Sequence, residues 1–314
     1  MRLVLCALVL VAPPLAAQNS QCVPLSSGDG SRQRCDAAID FTRAYHPLAG
    51  LAVAGGNPLL GSGDATGKAG AFSVTLRANG FQLSVPDLTN VSSGGTVPED
   101  TDVLAPAPVI EGNLGLFGGF ASGLLALDLL LAAQLVPNED IAEEIRVDPD
   151  APRIGPVALG IGFGARIGVL EESDVVPGVA VSVMRRTVPR VGYGNVAAGD
   201  EVAADVDLRA TTLRFTAGKQ VGMLAVAAGF GWSRYTGDAV ATYDAGVGTG
   251  TIALELDQTR AMYFLDAGLH VGLVRIVGEI GYQRGRDQRL GTTFAGYDDT
   301  SGTTFYSIGL RVGR

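Results

Sequence analysis

The chain has 314 residues, 47% of them hydrophobic but only 6% aromatic, and a formal net charge of −9 from 23 Lys and Arg against 32 Asp and Glu. That acidity argues against nucleic acid as a partner, because neutralising phosphates needs a basic footprint. Glycine, at 44 residues, is about twice its average usage of roughly 7%.

Met1-Arg2, the apolar run Leu3 to Leu15, and Ala16-Ala17-Gln18 have the three-part layout of a secretory signal peptide. Residues 1–17 are read as that signal, with cleavage near Gln18 and export as the consequence. Asn19-Ser20-Gln21 before Cys22 does not form a lipoprotein box. Cys6 leaves with the signal, so Cys22 and Cys35 remain as a pair, and in an exported chain such a pair is read as a disulfide. His46 and His270 are the two histidines, too few and too scattered to complete a four-ligand metal site with the cysteines. Neither a metal nor a cofactor is expected.

Residues 18–67 form a separate amino-terminal segment, held by the cysteine clip and acting as a periplasmic appendage or a plug. Ser31 is expected to cap a short amphipathic helix through Asp36, Ile39, Phe41 and Tyr45, ended by His46-Pro47 because the residue before proline disfavours helical geometry. The glycine-rich stretch Gly55–Gly67 follows. Gly61 to Ala69 superficially matches a phosphate loop, but the spacing is one residue too long and Ala69 replaces the metal-binding hydroxyl, so it reads as a flexible loop.

From residue 68 to 314 the dominant pattern has period two. Val157 to Val169 reads V-A-L-G-I-G-F-G-A-R-I-G-V, with apolar residues at every odd position and Ala, Gly or Arg at every even one. Such a segment is a strand with one oily face; as a helix, each interior glycine would cost about 1 kcal/mol. Strands are expected near 70–86, 112–118, 123–135, 156–169, 175–187, 204–217, 221–235, 259–271, 274–286 and 303–313. The connections at Gly118–Ser122, Leu170–Asp174, Gly218–Gln220 and Gly272-Leu273 are short. Those at 87–111, 136–155, 188–203, 236–258 and 287–302 are long. This alternation is that of a transmembrane β-barrel with short periplasmic turns and long outer loops, and it places both termini in the periplasm. The count is ten if 70–86 is one strand and twelve if Asn79-Gly80 is a turn, because the apolar parity of Phe72, Val74 and Leu76 flips at Phe81, Leu83 and Val85. Leu114 to Val136 is long enough to cross a bilayer as a helix, yet Asp128 would then cost about 2.5–3.5 kcal/mol near the centre. It reads better as a hairpin turning at Gly118–Gly123.

If Gly272-Leu273 is a two-residue turn, Val271 opposes Val274, Leu269 opposes Ile276, Leu265 opposes Ile280 and Tyr263 opposes Tyr282 on the outer face. On the inner face His270 meets Arg275 and Asp266 meets Glu279, a carboxylate pair that needs either a proton or a neighbouring cation, for which Arg166 and Arg311 are candidates. The same parity sends Met184, Arg186, Met262, Phe264 and Phe305 into the lumen. That mixed wall differs from the polar wall of a wide porin, and its apolar members are placed to pack the amino-terminal segment or to line a path.

The signal peptide, the alternating strands and the last strand T-F-Y-S-I-G-L-R-V-G-R, with Tyr306, Ile308, Leu310 and Val312 alternating, resemble Gram-negative outer-membrane β-barrel proteins. Arg314 departs from the terminal aromatic of that pattern. The resemblance implies insertion into outer-membrane lipid with the help of the barrel-assembly machinery. Gly55-Gly56-Asn57-Pro58 resembles the Asn-Pro turn of fatty-acid-transporter-like barrels, which carry an amino-terminal plug, and is also a good turn in its own right. The expected architecture is therefore an all-β, antiparallel transmembrane barrel of about 10–12 strands. The expected role is a narrow passive channel or transporter for small solutes, apolar ones included. The alternative is a non-transporting structural or surface-interaction barrel. A barrel hydrolase, which would depend on His270, ranks third; no catalytic constellation is legible.

Overall fold

The computed structural model describes residues 19–25, 30–91, 95–120, 124–137 and 145–313; the signal-peptide reading falls outside them. Ten antiparallel strands close into a barrel: β1 (Phe72–Pro86), β2 (Glu99–Phe117), β3 (Ala126–Pro137), β4 (Val157–Leu170), β5 (Gly178–Tyr193), β6 (Val202–Val221), β7 (Leu224–Asp244), β8 (Thr249–Val271), β9 (Val274–Gln283) and β10 (Thr303–Gly313). Each strand pairs with its sequence neighbours, and β10 pairs with β1 to complete the ring. Among the described residues no helix is long and apolar enough to cross a membrane.

The outer face shows why the chain closes this way. Ile161, Phe163 and Leu265 are 66%, 60% and 57% exposed, a loss of burial that only an apolar surrounding offsets. Phe215, Phe230, Tyr263 and Tyr282 are successive cross-strand partners on β6 to β9, forming one aromatic row around that side of the barrel. The stretch from Tyr263 down to Val271 is about the length of a membrane-crossing strand, roughly 9–11 residues. Above the row the outer face turns ionic, with Arg190–Asp207 at 2.9 Å and Arg234–Asp257 at 2.5 Å. The barrel wall therefore continues past the apolar band as a water-facing sheath.

The Gly272-Leu273 hairpin has the expected register throughout, and Gly272 takes the positive φ of 64° that such a turn requires at its first central position. Other boundaries moved. The strands beside the long connections reach further than their apolar patterning: β2 begins at Glu99 instead of 112, and the β7–β8 hairpin runs to Asp244 and Thr249. The β6–β7 turn lies at Gly222-Met223, not at Gly218–Gln220, since Val221 pairs with Leu224. Asn79-Gly80 is neither turn nor bulge. Pairing of β1 with both β2 and β10 continues through it without a register shift, so the count is ten. Phe81 lies on the inner face, where it is apolar because it packs on Leu48 and Leu51 of the plug.

Helix α1 (Ser31–Ala54) runs inside the barrel. Its N-cap is Gly30, with Ser31 as the first helical residue, and it continues past His46-Pro47. Proline lacks the N–H that would bond the carbonyl four residues back. That carbonyl, on Arg43, instead accepts from Gln258 Nε2 at 3.1 Å, while the Ala44 carbonyl accepts from the Tyr297 hydroxyl at 2.9 Å. Gln258, on the wall, thus supplies the one hydrogen bond that Pro47 cannot make, and Tyr297, from the connection between β9 and β10, adds a second to the same turn.

The helix starts at the long-loop end, where the Cys22–Cys35 disulfide (S–S 2.03 Å) packs with Leu88, Val202, Ala241 and Tyr243. The described chain therefore enters at the loop end, passes down the lumen and emerges beside β1. Only the carboxyl-terminal strand ends where both termini were expected.

Candidate functional site

The lower lumen is filled by the end of α1 and the turn after it. A helix C-terminus presents unsatisfied carbonyls and a partial negative charge, and arginines from six different strands meet them. Arg186 donates to the Ala54 carbonyl at 2.9 Å. Arg214 donates to those of Gly55 and Gly56, each at 3.1 Å. Arg77 donates to Asn57 at 2.8 Å, Arg275 to Gly61 at 2.9 Å, Arg166 to Ser62 at 3.0 Å and Arg311 to Leu60 at 3.4 Å. Wall carboxylates take the opposing N–H groups: Glu279 accepts from Asn57 at 2.6 Å, Asp266 from Gly61 at 2.8 Å and Asp128 from Thr66 at 2.8 Å. Glu111 neutralises the remaining arginine density through Arg77 (3.3 Å) and Arg186 (2.7 Å).

Asn57 is the hub. Its Nδ2 donates to Asp266 and to the Ser62 carbonyl, each at 2.9 Å, and its Oδ1 accepts from Leu59 N and from Arg166, each at 3.1 Å. The Asn57 side chain thus bridges Asp266 and Arg166, while Arg311, the other candidate cation, bonds Ser73 and Leu60. Gly55 takes a φ of 57° that favours glycine, and a Cβ on Gly55 or Gly56 would displace the bonded tips of Arg77 or Glu279. Residues 61–66, within the stretch read from sequence as a flexible loop, belong to this bonded plug.

The candidates named from parity all face the interior. Arg166, Arg186, Asp266 and Glu279 join the network; His270 and Arg275 contact one another near the short-turn rim; Arg311 also donates to Ser73 at 2.9 Å. Met262, Phe264 and Phe305 pack with Leu48 and Leu51, and Met184 is buried. Arg77, Glu111, Arg214 and Asn57 were missed. Arg77 had the parity signal, opposite Leu76 and Ala78. Glu111 was hidden by the late start assigned to β2.

Higher up, above the aromatic row, an apolar pocket of about 240 Å³ separates one face of α1 from β2, β3, β5 and β6. Phe41, Tyr45, His46 and Val53 line it from the helix, and Gln134, Leu135, Val188, Val206 and Leu208 from the wall. His46 is 2% exposed, and burial, reinforced by Arg260, lowers its pKa to about 4, so its imidazole is neutral at pH 7.

No known protein-family model and no characterised protein matches the chain. Solved structures similar to it include the outer membrane protease OmpT from Escherichia coli, with 11% identity over 78% of this chain and 95% of that one at a TM-score of 0.38. They also include the translocator domain of the autotransporter NalP from Neisseria meningitidis, with 10% identity, 91% and 99% coverage and a TM-score of 0.39. A third is the Pseudomonas putida toluene transporter TodX, with 11% identity, 78% and 89% coverage and a TM-score of 0.29. The chain is a plugged antiparallel β-barrel of the outer-membrane type, and its likeness to these proteins is one of architecture.

Proposed function

We propose that the protein sits in the bacterial outer membrane, reached through the barrel-assembly machinery, and admits small, largely apolar solutes one at a time along the seam between plug and wall. The observation that carries this reading is the apolar pocket between α1 and the upper wall, set above a lower lumen packed with plug. Charged and hydrated species are disfavoured in an apolar seam because they would shed water without compensation. No chemical step is assigned to the protein. The test is uptake of radiolabelled toluene into vesicles carrying the reconstituted full chain, with planar-bilayer conductance alongside. Accelerated toluene entry with little steady ion current supports the proposal. A large steady current, or toluene entry equal to that of empty vesicles, overturns it.

A surface-interaction role is the second reading, favoured by the β7–β8 hairpin, whose strands run from Leu224 to Asp244 and from Thr249 to Val271, well beyond the roughly 9–11 residues that a membrane crossing needs. Truncating residues 240–252 should leave toluene uptake intact under the first reading.

A further inference from the structure

The foot of the barrel carries a row of basic groups with no carboxylate paired to it among the described residues. Arg275 on β9 lies directly opposite Arg311 on β10 and opposite His270 on β8, and like charges so placed repel. Arg275 bonds the Gly61 carbonyl at 2.9 Å and the Nε2 of His270; a guanidinium only donates, so that imidazole accepts and adds no charge. Arg311 spends Nε on Ser73 and Nη1 on the Leu60 carbonyl, which leaves its Nη2 without a partner among the described residues. Both arginines line a cavity of about 400 Å³ at the short-turn rim. The exposed Lys68 lines it too, its ammonium likewise without a partner among the described residues, and no Asp or Glu does. Asp64 and Glu172 line the neighbouring cavity, which shares both arginines, but they are bonded elsewhere. Asp64 accepts from Glu172 N at 3.3 Å and Glu172 from Gln220 N at 2.6 Å.

The same cavity reaches the lipid side of the wall. Phe72, at the start of β1, and Leu273, in the turn, also line it, and they are 51% and 89% exposed at the lower end of the apolar band that starts from the aromatic row. A matching ligand has an anionic head and an apolar body, as a phospholipid has at the depth of its headgroup. Guanidinium groups take phosphate oxygens through charge-assisted hydrogen bonds, whereas a headgroup that also carries an ammonium would bring a further cation to the cluster. We propose that the foot of the barrel binds one anionic phospholipid, a phosphodiester without a headgroup amine. Its phosphate faces Arg311 Nη2, Arg275 and Lys68 supply further positive charge, and an acyl chain lies over Phe72 and Leu273. That assignment rests on the membrane placement of the barrel and on nothing else in the transport reading.

Native mass spectrometry of the detergent-solubilised full chain, with dioleoylphosphatidylglycerol and dioleoylphosphatidylethanolamine in competition, reads the preference. The unmodified protein should retain one phosphatidylglycerol about tenfold more tightly than phosphatidylethanolamine, the contribution of one or two cations beside an anionic lipid. Lys68→Gln, which removes a side chain that bonds nothing else, should cut that ratio several-fold, and Arg311→Gln should cut it further. Arg209→Gln, which removes an outer-face charge above the aromatic row, should leave it unchanged. Equal retention of the two lipids by the unmodified protein overturns the proposal without reference to any variant, and so does a loss in Arg209→Gln as large as in Lys68→Gln. Displacement of phosphatidylglycerol by millimolar inorganic phosphate overturns the lipid as the carrier and assigns the site to free phosphate; retention against it supports the lipid. Toluene uptake with no headgroup preference removes the inference and keeps the transport reading. A headgroup preference with no uptake does the reverse.

Discussion

Asp266 and Glu279 stand opposite each other on β8 and β9, and Asn57 donates to both, through Nδ2 at 2.9 Å and its backbone N–H at 2.6 Å. One residue of the plug thus reconciles two wall carboxylates whose direct juxtaposition would be repulsive, and the plug and the wall become mutually dependent.

Asn57→Ala removes the side-chain half of that arrangement and leaves Asp266 and Arg166 short of partners. It should destabilise the protein by about 2–4 kcal/mol, the sum of a few buried hydrogen bonds, and raise ion conductance as the plug loosens. Urea unfolding in detergent and planar-bilayer recording check both effects. Unchanged values in both would show that the turn is held by its arginines alone.

His46 makes stability pH-dependent. Its folded pKa, lowered to about 4 by burial, lies below the unfolded value of about 6.5. Between those values the unfolded chain binds the extra proton, so stability is full above pH 6.5 and falls as pH drops toward 4, by up to roughly 3 kcal/mol. His46→Phe should flatten that window in unfolding midpoints measured from pH 4 to 7, and a slope identical to the parent's would assign it to other groups.

The lipid-facing assignment separates two positions on one strand. Leu265→Arg, below the aromatic row, should cost about 2–4 kcal/mol if it lies near the bilayer midplane. Thr251→Arg, exposed on the extension of β8, should cost under about 1 kcal/mol. Folding yields into lipid vesicles measure this, and equal tolerance would contradict the membrane band. On the inner face, arginine at Gly162 is expected to be poorly tolerated, since even a Cβ there would lie 2.8 Å from Arg186 Cγ.

The Cys22–Cys35 bond closes a short loop of sequence separation 13, worth roughly 3 kcal/mol in the chain-entropy model. Thiol labelling of denatured, unreduced protein should find neither cysteine free. Reduction should lower the unfolding midpoint and expose the start of α1 to protease before the strands.

Much of the wall was legible because strand periodicity is local. The odd residues from Val157 to Val169 report lipid and their even neighbours report lumen, whatever the rest of the chain does. Gly272-Leu273 likewise sets every pairing from Val271–Val274 to Met262–Gln283, because a two-residue turn leaves one register. The extent of β2, β7 and β8 was not legible, since above the membrane the outer face becomes polar and the alternation that marks a strand reverses or fades. Glu111 was lost differently, because the strand start was set one residue after it although its outward neighbour Ile110 is still apolar and exposed.

The sequence by itself determined a barrel, its inner and outer faces, the hairpin register at Gly272-Leu273 and the pairing of Cys22 with Cys35, which follow from side-chain alternation, turn chemistry and cysteine spacing. Only the tertiary structure decided where the amino-terminal segment goes. A helix that crosses Pro47 survives because Gln258 satisfies the carbonyl the proline frees, on Arg43, and the glycine-rich turn is ordered because arginines on six separate strands converge on its carbonyls. Those partners lie far along the chain, so no local pattern announces them; they become neighbours only when the sheet closes.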